Sequence, residues 1–135
     1  MLLSEDGLFE MRSHVYVGIG SNVNNPIRNV KLALKKITNT TSLVRQSSLY
    51  QSKPLGFDYQ PLFINSVCEV YTELNPWEFL KMLNTIEDEM GRLRTFQNAP
   101  RIIDLDIIVW MNSIISTPTL QLPHPEMFNR GFVIE

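Results

Sequence analysis

Ser42–Thr72 reads SLVRQSSLYQSKPLGFDYQPLFINSVCEVYT. Two β-rich runs, Ser42–Gln51 and Leu62–Thr72, stand here with no helical pattern between them. The join, Ser52–Pro61, holds two prolines, a glycine and two aromatics, and reads as a loop of about ten residues, long enough to be functional. Side chains alternate along a strand. In the second run Phe63, Asn65, Val67, Glu69 and Tyr71 therefore share one face, and Leu62, Ile64, Ser66, Cys68 and Val70 the other.

Working outward, each side of this pair carries a helix and a strand. Upstream, His14–Ile19 (HVYVGI) alternates as a buried first strand and runs into GSNVNNP. Gly20 can take a positive φ there, Ser and Asn offer caps, and Pro26 suits a first helical turn. Ile27, Val30, Ala33, Leu34 and Ile37 repeat at helical spacing, with Lys31, Lys35 and Lys36 elsewhere on the wheel. Backbone N–H groups at such a helix start could hold an anion. The run GIGSN has neither the phosphate-loop nor the dinucleotide spacing of glycines, so a plain strand-to-helix turn is the simpler reading.

Downstream, Asn75, Pro76 and Glu78 spell a capping box with proline in the first turn. Trp77, Leu80, Leu83, Ile86 and Met90 form the expected apolar stripe, and Gly91 the stop. A polar loop, Arg92–Pro100, precedes a strand at Ile102–Trp110. Beyond it come a turn at Asn112 and Ser113, a short return strand from Ile114 and Ile115, an extended proline-rich stretch Thr117–Pro125, and a last strand at Phe128–Ile134. The order is β-α-β-β-α-β with a β-rich tail. That order predicts a ferredoxin-like α+β sandwich, with both helices on one face of an antiparallel sheet and the opposite face open for a site.

Bulk composition narrows the function classes. A chain of 135 residues, 44% hydrophobic and 19% charged, is most simply one soluble domain. We place the domain at 14–135, after a loosely held extension at 1–13 in which Met11 is an alternative start. A net charge of −2 argues against a bulk grip on nucleic acid or an anionic membrane. The only cysteine, Cys68, allows neither an intramolecular disulfide nor a thiolate metal cluster and fits a reducing cytoplasm. No apolar run approaches the roughly 20 residues of a membrane span, and acids stand where a signal peptide would carry bases.

The chemistry concentrates in Arg92–Ile108, RLRTFQNAPRIIDLDII. Arg92, Arg94 and Arg101 precede Asp104 and Asp106, which face the same way on a strand with Cα atoms roughly 6.5–7 Å apart. Two carboxylates on a half-buried strand repel and are costly to desolvate; a divalent cation relieves both effects, and oxygen ligands suit Mg²⁺. Arginines beside them suit the phosphates that share such a cation. Asp-x-Asp also occurs as a structural pair and in nucleotidyl-transfer palms. Asn65 beside Phe63 reads either as an amide bonding nearby loop backbone or as one reading the edge of a ligand ring. Glu87 could be a solvated helix residue or part of the site, and His124, held between prolines, could be structural or catalytic. Together these parts make a phosphoryl-transfer kit.

The segments VGIGSN, SLYQSKPLGFDYQPLFINSV, IEDEMGRLR, PRIIDLDII and LPHPEMFNRGFVI, in that order and spacing, resemble the 6-hydroxymethyl-7,8-dihydropterin pyrophosphokinase family over His14–Ile134. The resemblance implies the same ferredoxin-like fold and transfer of a pyrophosphoryl group from ATP to the pterin hydroxymethyl, leaving AMP, in folate biosynthesis. By similarity Asp104 and Asp106 would bind two Mg²⁺ ions. Arg92 and Arg101 would be the catalytic phosphate clamps. Glu87, Arg94, Ile107, His124 and Arg130 would complete the ATP site. Ser52, Lys53, Leu55, Phe63, Asn65, Asp104 and Phe132 would hold the pterin, with Phe63 and Phe132 stacked on its ring. ATP and the pterin are the expected partners, of a monomer that binds no nucleic acid. Three features depart from the family pattern: the loop Thr95–Ala99 (TFQNA) is short and lacks a tryptophan, for which Phe96 could substitute; Lys53 stands where a small residue or proline is common; and the chain ends at Glu135, before the tail usual in the family. The competing reading is a catalytically impaired module that binds nucleotide or pterin without turnover.

Overall fold

The computed structural model describes residues 12–54, 60–92, 101–111 and 115–125. Within them the chain forms β1 (Ser13–Ser21), α1 (Pro26–Thr38), β2 (Ser42–Gln46), β3 (Tyr50–Ser52), β4 (Phe63–Thr72), α2 (Pro76–Glu89), β5 (Asp104–Trp110), β6 (Ile115–Ser116) and β7 (Gln121–Leu122). The main sheet runs β2-β4-β1-β5, with β3 also paired to β4 and the ladders antiparallel. Each helix therefore joins two strands that skip one neighbour, which is the split βαβ arrangement expected from the element order.

The helices cover one sheet face. Val15, Val17 and Ile19 from β1, Cys68 and Val70 from β4, and Leu105 and Ile107 from β5 meet Val30, Ala33 and Ile37 of α1 and Phe79, Leu83 and Ile86 of α2. The ladder of β1 with β5 shifts register at Tyr16/Val17, so Val15 faces Trp110 and Val17 faces Ile107. This bulge at Ile108 turns Trp110 onto the helix side, where it meets Phe79 edge to face at 5.5 Å.

Four local expectations change. The run Ser42–Gln51 is two short strands, because Ser47 breaks the ladder: its Oγ accepts from Val67 N at 2.9 Å, in place of a backbone carbonyl. Gly20 lies within β1, and the positive φ values fall instead on Asn24 and Asn25. No side chain caps α1 at Asn25; Asn29 reaches back to Val23 O and Asn24 O, both at 3.0 Å. Trp77 is half exposed, and Phe79 takes the buried place in α2, because the helix turns to pack Phe79 against Trp110. The expected extension 1–13 falls largely outside the described residues, as do Leu55, Arg94, Phe96, the Thr95–Ala99 loop, the turn at Asn112 and Ser113, Ile114, Arg130, Phe132 and the last strand at Phe128–Ile134.

Candidate active site

The candidate site lies on the open sheet face. Gly20 of β1 is paired with Asn65 on one side and Asp104 on the other, and Gly18 with Val67 and Asp106. Two glycines thus floor a trough with an amide and an aromatic on the β4 wall and two carboxylates on the β5 wall. The walls are roughly 10 Å apart, twice the strand spacing. Closeness requires the glycine at position 20: an added Cβ would stand 3.1 Å from Asn65 Oδ1 and 3.5 Å from the Phe63 ring.

On the β4 wall, the pairing of β3 with β4 sets Tyr50 opposite Asn65 and Ser52 opposite Phe63. Asn65 Nδ2 donates to Ser52 Oγ at 2.8 Å and to Tyr50 O at 3.3 Å. The amide is buried and bonded to its neighbours, which orients it on the open face beside Phe63. Lys53 is exposed at the end of β3.

On the β5 wall, the end of α2 aims the first arginine. Gly91, at φ +85°, gives its N–H to Asp88 O at 3.1 Å, and Arg92 gives its N–H to Glu87 O at 3.0 Å. This is a Schellman stop, and it folds Arg92 back over the last turn. There Arg92 Nη1 meets the Glu87 carboxylate and lies 3.2 Å from Asp104 Oδ1. Glu87 is buried and also accepts from Leu105 N at 2.9 Å, so it ties α2, Arg92 and β5 together rather than standing in solvent. Among the described residues Arg92 Nε, although buried, has no acceptor.

Arg101 Nη1 holds the other Asp104 oxygen at 2.8 Å. Asp104 thus sits between two guanidiniums. Asp106, more exposed, faces His124 Nε2 at 3.6 Å from its Oδ1. His124 is placed by its backbone, whose N–H donates to Ile108 O at 2.7 Å. Ile107 points its side chain into the core, so only its backbone borders the trough.

The donor set fits magnesium. Two adjacent carboxylates reach the trough, and among the described residues no third His, Cys, Asp or Glu joins them in a metal-binding group. Mg²⁺ keeps water and phosphate oxygens in most of its octahedron and takes one or two carboxylates from a protein.

Three positions escaped the sequence reading. Gly20 matters for close approach and not for its φ. Asn22, read as a turn residue, is buried and bonds the Arg101 backbone, the Gln60 side chain and Pro61 O. Gln60, read only as loop, receives the Asn22 amide at 2.5 Å. The only local signal was an asparagine directly after a buried strand; its partners lie 38 to 79 residues away.

A family model described as 7,8-dihydro-6-hydroxymethylpterin-pyrophosphokinase (HPPK) matches residues 16–135. A Haemophilus influenzae protein named 2-amino-4-hydroxy-6-hydroxymethyldihydropteridine pyrophosphokinase is 45% identical over 121 residues, covering 88% of this chain and 76% of that protein. A Pseudomonas aeruginosa protein of the same name is 40% identical over 126 residues, 92% of this chain and 78% of that protein. The Folic acid synthesis protein FOL1 of Dictyostelium discoideum is 39% identical over 120 residues, 89% of this chain but 18% of that longer protein.

Proposed function

This chain belongs to the 7,8-dihydro-6-hydroxymethylpterin-pyrophosphokinase family, and on that premise we propose which of its residues carry the transfer. The enzyme is a pyrophosphokinase of folate synthesis: it moves a pyrophosphoryl group from ATP to the hydroxymethyl oxygen of the dihydropterin and leaves AMP. The observation that carries the residue assignment is Asp104 held between Arg92 and Arg101, at 3.2 and 2.8 Å, on the wall facing Asn65 and Phe63.

Asn65 and Ser52 read polar edges of the pterin, and Phe63 stacks on its ring. Lys53, Leu55 and Phe132 complete that subsite. The ring then lies on the glycine floor with its hydroxymethyl directed at Asp104. Asp104 and Asp106 would hold two Mg²⁺ ions, which supply charge neutralisation along the phosphate chain and lower the pKa of the attacking hydroxyl. When ATP binds, Arg92 and Arg101 exchange their pairing with Asp104 for the phosphate oxygens, so their charge is in place before the transition state, and Glu87 keeps Arg92 aimed. His124, Arg94, Arg130 and the backbone of Ile107 bind ATP. The buried thiol of Cys68, pushed up to about 12 by burial, stays protonated and takes no part; it suits a reducing cytoplasm.

The test uses two variants and one readout, AMP formed from ATP with and without the hydroxymethyl pterin. Wild type forms AMP only when both are present with magnesium. Asp106→Ala abolishes magnesium-dependent ATP binding. Arg101→Ala leaves ATP binding within about tenfold and lowers kcat by about 10³-fold, the scale of losing one charge-stabilising group. Wild-type behaviour in both variants would sink the residue assignment. Folded wild type that binds both substrates without making AMP would favour the impaired-module reading.

A further inference from the structure

We propose that Asn22 is a positioning residue that sets the two substrate subsites relative to each other. It follows β1 directly and is 1% exposed. A carboxamide has one acceptor pole and one two-proton donor pole, and Asn22 uses them in opposite directions. Its Oδ1 accepts from Arg101 N at 2.7 Å, and its own N–H donates to Arg101 O at 3.0 Å. Its Nδ2 donates to Gln60 Oε1 at 2.5 Å and to Pro61 O at 3.1 Å.

Each contact lies just upstream of a site wall. Pro61 is two residues before Phe63, where the β4 wall begins, and Arg101 is three before Asp104 on the β5 wall. Both strands flank β1. One buried amide at the rim of the central strand thus fixes the entry to both walls, where neither has a ladder partner of its own. The reaction joins an oxygen held on one wall to a phosphorus held at the other, and a misplacement of about 1 Å costs on the order of 10²-fold in rate. The inference rests on the reading of Arg101 as a phosphate clamp.

The experiment is a double-mutant cycle of Asn22→Ala with Arg101→Ala, with circular dichroism on each protein. Asn22→Ala lowers kcat about 100-fold and leaves ATP affinity within about fivefold. In the Arg101→Ala background the same change costs no more than about threefold, because the guanidinium it would have aimed is gone. Asn22→Asp, of the same shape, keeps the acceptor for Arg101 N and loses the donors toward Pro61. It raises the pterin KM about tenfold with kcat within about tenfold, a split that a purely structural role would not produce. Full multiplication of the two losses in the double variant, or wild-type kinetics in a folded Asn22→Ala, overturns the proposal. If Asn22→Ala does not fold, the Asn22→Asp split decides alone, and equal loss in kcat and in pterin affinity overturns it. An Arg101→Ala enzyme with wild-type kcat would instead sink the clamp assignment.

Discussion

A Cβ on Gly20 would crowd Asn65 Oδ1 at 3.1 Å. That contact is tighter than ordinary van der Waals approach, and Asn65 is anchored to Ser52 and Tyr50, so it cannot swing aside freely. Gly20→Ala is therefore expected to raise the pterin KM by about tenfold, roughly 1.4 kcal/mol, with ATP affinity unchanged. Titration of pterin binding checks it, and equal affinity in the variant would show that the trough floor has room to spare. Cys68 behaves differently, since it is buried on the helix side of the sheet and the proposed reaction does not use it. Burial moves its thiol from 9.0 up to about 12. The folded state then keeps a proton that the unfolded chain gives up. The resulting stability is complete below about pH 9 and is lost as pH rises toward about 12. In urea unfolding, the advantage of wild type over Cys68→Ala should shrink by about 2 to 3 kcal/mol between about pH 8 and about pH 11. A constant difference would mean that the thiol titrates normally in the fold.

Among the elements, the end of α2 links fold to chemistry most directly. Gly91 has φ +85°, and a side chain there strains the backbone by about 1–2 kcal/mol. Its Schellman bonds also direct Arg92 onto Glu87 and Asp104. Gly91→Ala should lower stability by about 1 kcal/mol and kcat by about tenfold or more, with Arg92→Ala adding little in that background. Thermal melts with steady-state kinetics separate the two effects; a stability loss without a kcat loss would mean Arg92 is aimed by Glu87 alone. The same helix shows what a sequence can reveal. Its capping box joins Asn75 to Glu78 across three residues, with both bonds at 2.9 Å, and such local chemistry is legible without a fold. So were Gly91 and the strand carrying Asp104 and Asp106. Phe79 in the core and Trp77 outside it were not, because the helix turns by its packing against Trp110. Nor was the break at Ser47, which depends on Val67 across the sheet. The gathering of Arg92, Arg101, Glu87 and Asp104 was foreshadowed by spacing and by family resemblance. The bonds of Asn22 to Arg101 and of Glu87 to Leu105 were not, since they span 79 and 18 residues.

At the scale of the whole molecule, the open sheet face has two ends with different work. One end, past Gly18 and Gly20, is the proposed substrate trough. Toward the other, Tyr16 is paired with Glu69 and His14 with Tyr71 on the same face. Glu69 is 1% exposed and meets both His14 and Arg45, whose Nε lies 2.5 Å from Oε1. The His14 ring stacks on Tyr71 at 4.8 Å. Burial, and then the Glu69 carboxylate, raise the pKa of Tyr16, so its phenol stays protonated beside that charge. This end holds a buried charge in place by pairing, and among the described residues its pairs include none of the proposed substrate residues. Removing one partner of a buried pair is more harmful than removing both, because the remaining charge is stranded. Here the buried member is Glu69 itself and Arg45 is 75% exposed, so Glu69→Ala strands no buried charge and should cost only about 1 kcal/mol in unfolding free energy for the lost bonds to His14 and Arg45. Below its melting range the variant should keep wild-type kcat and both KM values, since β1 and β4 remain paired through the trough. Coupled losses in stability and in kcat would mean instead that the two ends of the sheet face share one rigid frame, and that the trough geometry depends on the distant cluster.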